Sequence, residues 1–299
     1  MSLADANRKY FDNIGDSYDK FPWFAKVNQQ VTDALRGRLN WLGIPLANTG
    51  SSSDVEEVRL LDYACGPGLM SRIFGPYVTI TTGVDVSPNM IATYNARARS
   101  AGLPESTISG VVGDLFASPP PPELSGPEYH SFDLATVGFG FHHFDDVIHA
   151  AKVLKQRLRP GGVLVINEFL EGGDIRADEN GEMIEGSGGD LVGKIQTEKH
   201  EDHRHHHGHG HGHGHDHGKL DFAHNPSIRK DKDSAVVVPH FTIDGIKKFF
   251  AEAGFVDVDI VVLDEKVYME FAGMKLWRTV LFAKGRRPFE DEVREKSEL

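Results

Sequence analysis

Between residues 58 and 170 short apolar runs alternate with spans that read as helices. The runs near 58–63, 78–84, 107–112, 132–137 and 162–168 predict strands, and the spans near 68–74, 88–102 and 144–158 predict helices. Strands separated by helical spans need crossovers, so the pattern predicts an α/β, Rossmann-like, doubly wound sheet that is mainly parallel and covered on both faces. Farther along, Phe241 to Phe255 reads as a helix with Thr242 as N-cap, Gly254 as stop, and Ile246, Phe249 and Phe250 on its buried face. Two last strands, near 256–263 and 275–283, bring the sheet to seven and lie close enough in sequence for a C-terminal antiparallel hairpin.

Outside this core the pattern changes. Residues 1 to about 45 read as helical and carry Tyr10, Phe11, Tyr18, Phe21, Trp23, Phe24 and Trp41, which could staple the N-terminus onto the sheet. Thr49 to Ser53 reads as a linker, and Pro119 to Pro122 as an extended surface loop. From about 171 to 238 apolar periodicity gives way to Gly, Asp, Glu, Lys and His, which predicts a flexible insertion. The division is therefore 1–55 (helices and linker), 56–170 (core), 171–240 (His-rich insertion), 241–285 (C-terminal part of the core) and 286–299 (charged tail).

The strand at 58–63 empties into Ala64-Cys65-Gly66-Pro67-Gly68, a glycine-rich turn opening a helix, where an α/β sheet holds an adenosine-bearing ligand. The third glycine of a dinucleotide fingerprint is absent, and Asp62 before the turn suits an ammonium group better than a phosphate. Asp85 ends the next strand roughly twenty residues after Gly66, the spacing of a ribose-binding carboxylate. Ser87-Pro88 then caps and starts a helix, and Asp114 ends a third strand.

Together the segments LLDYACGPG (60–68), GVDVSPNMI (83–91), GDLF (113–116), FDLATVGFGFHHF (132–144) and LRPGGVLVINEF (158–169) resemble the class I S-adenosylmethionine-dependent methyltransferases, in the ubiquinone-biosynthesis-like, small-molecule branch. The resemblance covers about 58–170 and resumes at 241–283. It implies that Asp62, Ala64, Gly66 and Gly68 surround the methionine part of S-adenosylmethionine and that Asp85, with Val86 beside it, holds the ribose. It also implies that Met90 packs on adenine, that Asp114 and Leu115 meet the adenine edge, and that Gly138 borders the cofactor. Many members of the family have glycine where this chain has Ala64. In similar enzymes N-terminal helices form a lid with substrate contacts, for which Tyr18 is the first candidate.

The carboxyl edge of such a sheet brings together Asp62, Asp85, Asp114, the 138–143 loop and Glu168. His142 or His143 could remove a proton from a phenol, alcohol or thiol acceptor, or could serve only in capping and packing. Glu168 could steer a cationic acceptor or simply find a buried hydrogen bond, and Phe139, Phe141 and Phe169 could line an apolar acceptor pocket or belong to the core.

Composition narrows the partners. With 32 Lys and Arg against 44 Asp and Glu, the net charge of -12 and the lack of a basic stripe argue against nucleic acid. Cys65 is the single cysteine, so no intrachain disulfide can form; the polar N-terminus and the lack of a membrane-length apolar run predict a cytoplasmic protein. Ten histidines lie between 200 and 217; His205, His207, His209, His211, His213 and His215 could chelate nickel or zinc adventitiously, without the fixed geometry of a structural zinc site. The leading expectation is methyl transfer from S-adenosylmethionine to a small-molecule nucleophile. The alternatives are a protein methyltransferase that docks through the insertion, and an inactive methyltransferase-like protein that binds metal or partners. A nicotinamide-dependent oxidoreductase is disfavoured by the incomplete glycine frame.

Overall fold

A computed structural model describes residues 2–14, 20–49, 57–192, 237, 240–271 and 273–297. Strands β1 (Arg59–Tyr63), β2 (Ile80–Asp85), β3 (Ile108–Val112), β4 (Phe132–Gly138) and β5 (Leu158–Phe169) pair in parallel, and β10 (Val280–Arg286) runs antiparallel to both β5 and β7 (Val256–Val262). Their order is β3-β2-β1-β4-β5-β10-β7. The chain runs outward from β1 to β3 and then returns to β4 on the other side of β1. That reversal splays the crossovers and opens a crevice at the carboxyl ends of β1 and β4.

Alternation along the strands builds two apolar layers. Leu61, Ala135, Leu164, Ile166 and Leu281 face one way, onto α5 (Val147–Arg157) and α6 (Ile243–Glu252). Leu60, Leu134, Val163, Val165 and Phe282 face the other, onto α2 (Pro22–Arg36) and α3 (Leu69–Phe74). Burial on both faces is why these strands read as continuous apolar runs. The helix starts follow their caps: Ser87 accepts from Met90 N at the head of α4 (Pro88–Ser100), Asp146 from His149 N at α5, and Thr242 from Gly245 N at α6.

Several expectations need correction. The stretch 275–283 is not one strand: it divides at Thr279 between β9 (Met274–Arg278) and β10. β7 and β10 are antiparallel neighbours, but β8 (Val267–Phe271) and β9 intervene and join β6 (Ile175–Arg176) in a second, three-stranded sheet. The first part of the insertion, 171–192, is accordingly built into the fold, and Asp174, Leu191 and Val192 are buried. Its order comes from charge: Asp174 binds Arg278 Nε at 2.9 Å and His240 Nε2 at 2.8 Å, a pattern without apolar periodicity. The charged tail forms α7 (Glu290–Ser297), with Glu292 paired to Arg286 at 2.8 Å. Residues 119–121 carry no helix or strand, in keeping with the expected surface loop, and only its last residue enters a 3-10 turn, Pro122–Leu124, which buries Leu124.

The N-terminal α1 (Leu3–Ile14) lies against the start of α4, where Asp12 accepts from Ser87 Oγ at 2.6 Å and from Asn89 N at 3.3 Å. Among the described residues no helix is long and apolar enough to cross a membrane.

Candidate active site

A cavity of about 420 Å³ occupies the crevice. Its floor is the turn after β1, where Ala64 and Gly66 adopt left-handed backbone, with φ of 53° and 49°. Ala64 carries the strain that a glycine would avoid, and its methyl faces Gly140, whose own Cβ would stand 3.2 Å from it.

Asp85 borders the cavity from the end of β2, and its two oxygens receive Gly66 N and Ser87 N, each at 2.9 Å. It therefore fixes both loop edges while each oxygen keeps a further lone pair for a ligand hydroxyl. Burial pushes its pKa up to about 6, against the backbone hydrogen bonds from Ser87 and Gly66. Asp114 also lines the cavity, and its Oδ1 accepts from Tyr63 Oη at 3.1 Å and Phe116 N at 2.8 Å. The Tyr63, Phe116 and Phe144 rings form an aromatic corner, with centroids 4.5 Å (Tyr63–Phe116) and 4.9 Å (Phe116–Phe144) apart; Val86 and Met90 extend the same wall.

Several predicted residues stand elsewhere. Asp62 does not face the cavity: it is wholly buried and accepts from Ser71 N at 2.9 Å, Ser71 Oγ at 2.6 Å and Thr136 Oγ1 at 3.2 Å. It bolts α3 to β1 behind the turn. Burial raises its pKa to about 7, opposed by the Ser71 and Thr136 hydrogen bonds and reinforced by Asp85. Gly68, with φ of 91°, lies outside the wall; its missing side chain lets the turn settle on Tyr94, whose ring carbon would be 3.0 Å from a Cβ there. Leu115 is buried in the apolar layer beside α5.

At the tip of β4, Gly138, Phe139 and Gly140 line the cavity. Phe139 has φ of 51° and stacks on Phe169 at 4.8 Å. Phe141, expected beside it, turns into the core and stacks on Phe249 at 5.5 Å, because the 3-10 turn Phe141–His143 swings it to the opposite face. The same turn separates the histidines. His143 lines the cavity, whereas His142 stands behind the wall with Nδ1 2.9 Å from Glu168 Oε2. Glu168, nearly inaccessible, also accepts from His142 N at 3.3 Å, so it orients His142 rather than meeting a ligand.

The N-terminal aromatics divide between both readings. Trp23 and Trp41 pack against the sheet, while Phe11 and Phe24 roof the cavity. Asn7 joins them, with Nδ2 donating to the His143 carbonyl at 3.2 Å and its buried Oδ1 without a hydrogen-bond partner among the described residues. Asn28, Arg72 and Asp145 complete the polar lining. Among the lining residues that sequence reasoning missed are Tyr63, Phe116, Phe144, Asn7, Asn28, Arg72 and Asp145. Of these, Tyr63, Phe116 and Phe144 carried a signal, as aromatics inside the motif segments. Tyr18 and the histidines at 205, 207, 209, 211, 213 and 215 lie outside the described residues. Among the described residues no group of three or more His, Cys, Asp or Glu side chains could hold a metal ion.

Comparisons with known proteins bear on the family and the fold. A family model for a methyltransferase domain matches residues 27–260. A demethylmenaquinone methyltransferase of Staphylococcus aureus is 32% identical over 164 residues, covering 54% of this chain and 58% of that protein. An uncharacterized methyltransferase of Schizosaccharomyces pombe is 29% identical over 133 residues, covering 43% and 45%. The chain thus spans about half the length of these curated relatives. A methyltransferase structure from Anabaena variabilis superposes with a TM-score of 0.57 at 15% identity, covering 96% of this chain and 95% of that one. Magnesium protoporphyrin IX methyltransferase from Synechocystis gives 0.56 at 12%, covering 95% and 99%. At such identities the structural likeness is one of fold.

Proposed function

Because the chain belongs to this methyltransferase-domain family, we propose that it moves a methyl group from S-adenosylmethionine to a small-molecule acceptor with an apolar face. The observation that carries the reading is one cavity at the β1/β4 reversal whose wall holds Asp85 and Asp114 on neighbouring strand ends, with an aromatic corner beside them. Those groups fit a nucleoside. Asp85 would accept from the ribose hydroxyls, Asp114 would meet the adenine edge, and Phe116, Phe144 and Met90 would enclose the base. The Oδ1 of Asn7, without a partner among the described residues, would give the roof a further acceptor for a ligand donor.

The cofactor, when bound, supplies an electrophilic methyl on a sulfonium, a centre whose leaving group is neutral. What remains for the protein is alignment and the exclusion of water. Phe11, Phe24 and Phe139 present apolar surface to the remaining space, which supports an acceptor with an apolar ring or chain; the name of the Staphylococcus aureus relative, a demethylmenaquinone methyltransferase, is in keeping with that. His143 lines the wall, which supports a role in taking a proton from an acidic acceptor group. His142 acts through position, held by Glu168.

Isothermal titration with S-adenosylmethionine and S-adenosylhomocysteine tests the reading. Saturable binding of both, one per chain, is expected. Absence of binding to either in well-folded protein would remove it.

A further inference from the structure

Asn167 is out of keeping with its surroundings. It lies near the end of β5, wholly buried, and its parity places it with Val165 and Phe169 on the face of the sheet that packs against α2 and α3. Phe282 is its register partner on β10. An apolar side chain would suit those neighbours, yet an amide stands there. Neither Nδ2 nor Oδ1 has a hydrogen-bond partner among the described residues, and no other described side chain leaves two buried polar atoms in that condition. Desolvating an amide without a partner lowers stability, so a group of this kind calls for a reason.

Its position beside the cavity supplies one. Asn167 pairs in register with Gly138 at the β4 tip, and Gly138 lines the cavity. A Cβ on Gly138 would stand 3.4 Å from Asn167 Oδ1, 3.3 Å from Met70 Sδ and 2.8 Å from Met70 Cγ. The amide thus lies directly behind a wall residue that has no side chain, and Met70, an unbranched and adaptable thioether, packs at the same place. The Asn167 carbonyl accepts from Phe139 N at 3.0 Å, and the Phe139 ring, stacked on Phe169, gives the cavity an apolar surface next to this spot. A primary amide is both donor and acceptor, and a hydroxyl is the small group that can use both at once. We infer that Asn167 is a specificity-determining residue: Met70 yields, and the amide holds a hydroxyl carried on an aromatic ring of the acceptor while that ring rests on Phe139. The inference rests on the methyltransferase reading and adds to it the class of acceptor, a hydroxylated aromatic, and the residue that selects it.

The test compares 1-naphthol with naphthalene, the same ring system with and without a hydroxyl. Both are titrated into the full chain saturated with S-adenosylhomocysteine, as wild type and as Asn167→Leu, an apolar replacement of similar size. Wild type should bind 1-naphthol about tenfold more tightly than naphthalene. Asn167→Leu should weaken 1-naphthol about tenfold, leave naphthalene and S-adenosylhomocysteine within about twofold, and keep or raise the urea midpoint, since an unpartnered amide has been removed. Retained naphthalene and S-adenosylhomocysteine binding also shows that the variant has folded with its cavity intact. An amide that serves only the fold gives the reverse, a lowered midpoint or an unfolded variant. That result, an unchanged preference for the hydroxyl in Asn167→Leu, equal weakening of both rings, or no hydroxyl preference in wild type would overturn the inference. In each case wild-type binding of S-adenosylhomocysteine leaves the methyltransferase reading standing. A wild-type chain that did not bind S-adenosylhomocysteine would overturn that reading, and this inference with it.

Discussion

Replacing Asp62 by asparagine isolates the role of an acid buried behind the cofactor turn. Its carboxyl titrates at about 7 in the fold, against an ordinary 3.8, chiefly because burial disfavours the charge. The folded protein therefore holds this proton more tightly than the unfolded chain does. The associated stability is complete below about pH 3.8 and disappears as the pH rises through about 7, a total of about 4 kcal/mol. Asparagine removes the titration and keeps most of the contacts. Its amide oxygen can accept from Ser71 N and Oγ, while its NH₂ faces the Thr136 hydroxyl, which can turn to accept. Asp85 titrates in the same direction and persists in the variant, so the quantity to read is the difference between variant and wild type at each pH. Urea unfolding at about pH 5 and about pH 8.5 should show that difference moving by about 3 kcal/mol in favour of Asp62→Asn at the higher pH, with unchanged m-values. An offset that is the same at both pH values would refute the assignment of a buried, proton-holding carboxyl.

Asp85 gives the complementary result in binding. Asp85→Ala should cost about 1.5–3 kcal/mol of S-adenosylhomocysteine affinity through lost charge-assisted hydrogen bonds, measured by titration calorimetry. Because burial holds its pKa at about 6, wild-type affinity should fall as the pH drops below that value and the carboxylate gains a proton, while Asp85→Ala shows no such fall. Wild-type affinity in Asp85→Ala would remove Asp85 from the ribose site. The two phenylalanines of the β4 turn should separate cleanly. Phe141→Ala, in the core, should lower unfolding free energy by about 3–5 kcal/mol, whereas Phe139→Ala should lower it less and impair methyl transfer more; denaturant melts beside transfer assays decide between them.

Much of the main sheet was legible because its strands are buried on both sides and the acids that line its cavity stand at or just beyond strand ends. The failures come from side-chain direction. Along β1, Leu60 faces α2 and α3 while Leu61 faces α5, so Asp62 shares the parity of Leu60 and Tyr63 that of Leu61. Parity sends Asp62 to Ser71 and brings Tyr63 to Asp114. A motif read as a string of letters credits the acid, but a motif read with the strand's period of two credits the tyrosine. Phe139 and Phe141 defeat the same reading for another reason: both lie beyond the strand end at Gly138, Phe139 in left-handed backbone with φ of 51° and Phe141 at the start of a 3-10 turn, so the strand's period no longer relates them.

The second sheet was illegible because its fastening residues come from widely separated parts of the chain and none has a local pattern. Asp174, His240 and Arg278 meet only in the folded protein, and each is nearly inaccessible. Burying a guanidinium costs several kcal/mol unless paired. Here Asp174 supplies the charge, and the Phe169 ring lies 3.7 Å from the guanidinium carbon as a second neighbour. That ring stacks in turn on Phe139, so the contact series Asp174, Arg278, Phe169, Phe139 runs from the root of the polar insertion to the cavity wall. His240, on the other oxygen of Asp174, ties in the strand of chain that re-enters after the insertion. A polar segment without periodicity thereby backs the aromatic surface that Phe139 presents to the cavity. Neutralising Asp174 would take from buried Arg278 the carboxylate it is hydrogen-bonded to, leaving Glu168 as a weaker electrostatic neighbour, and would loosen the support of Phe139, although neither Asp174 nor Arg278 touches the cavity.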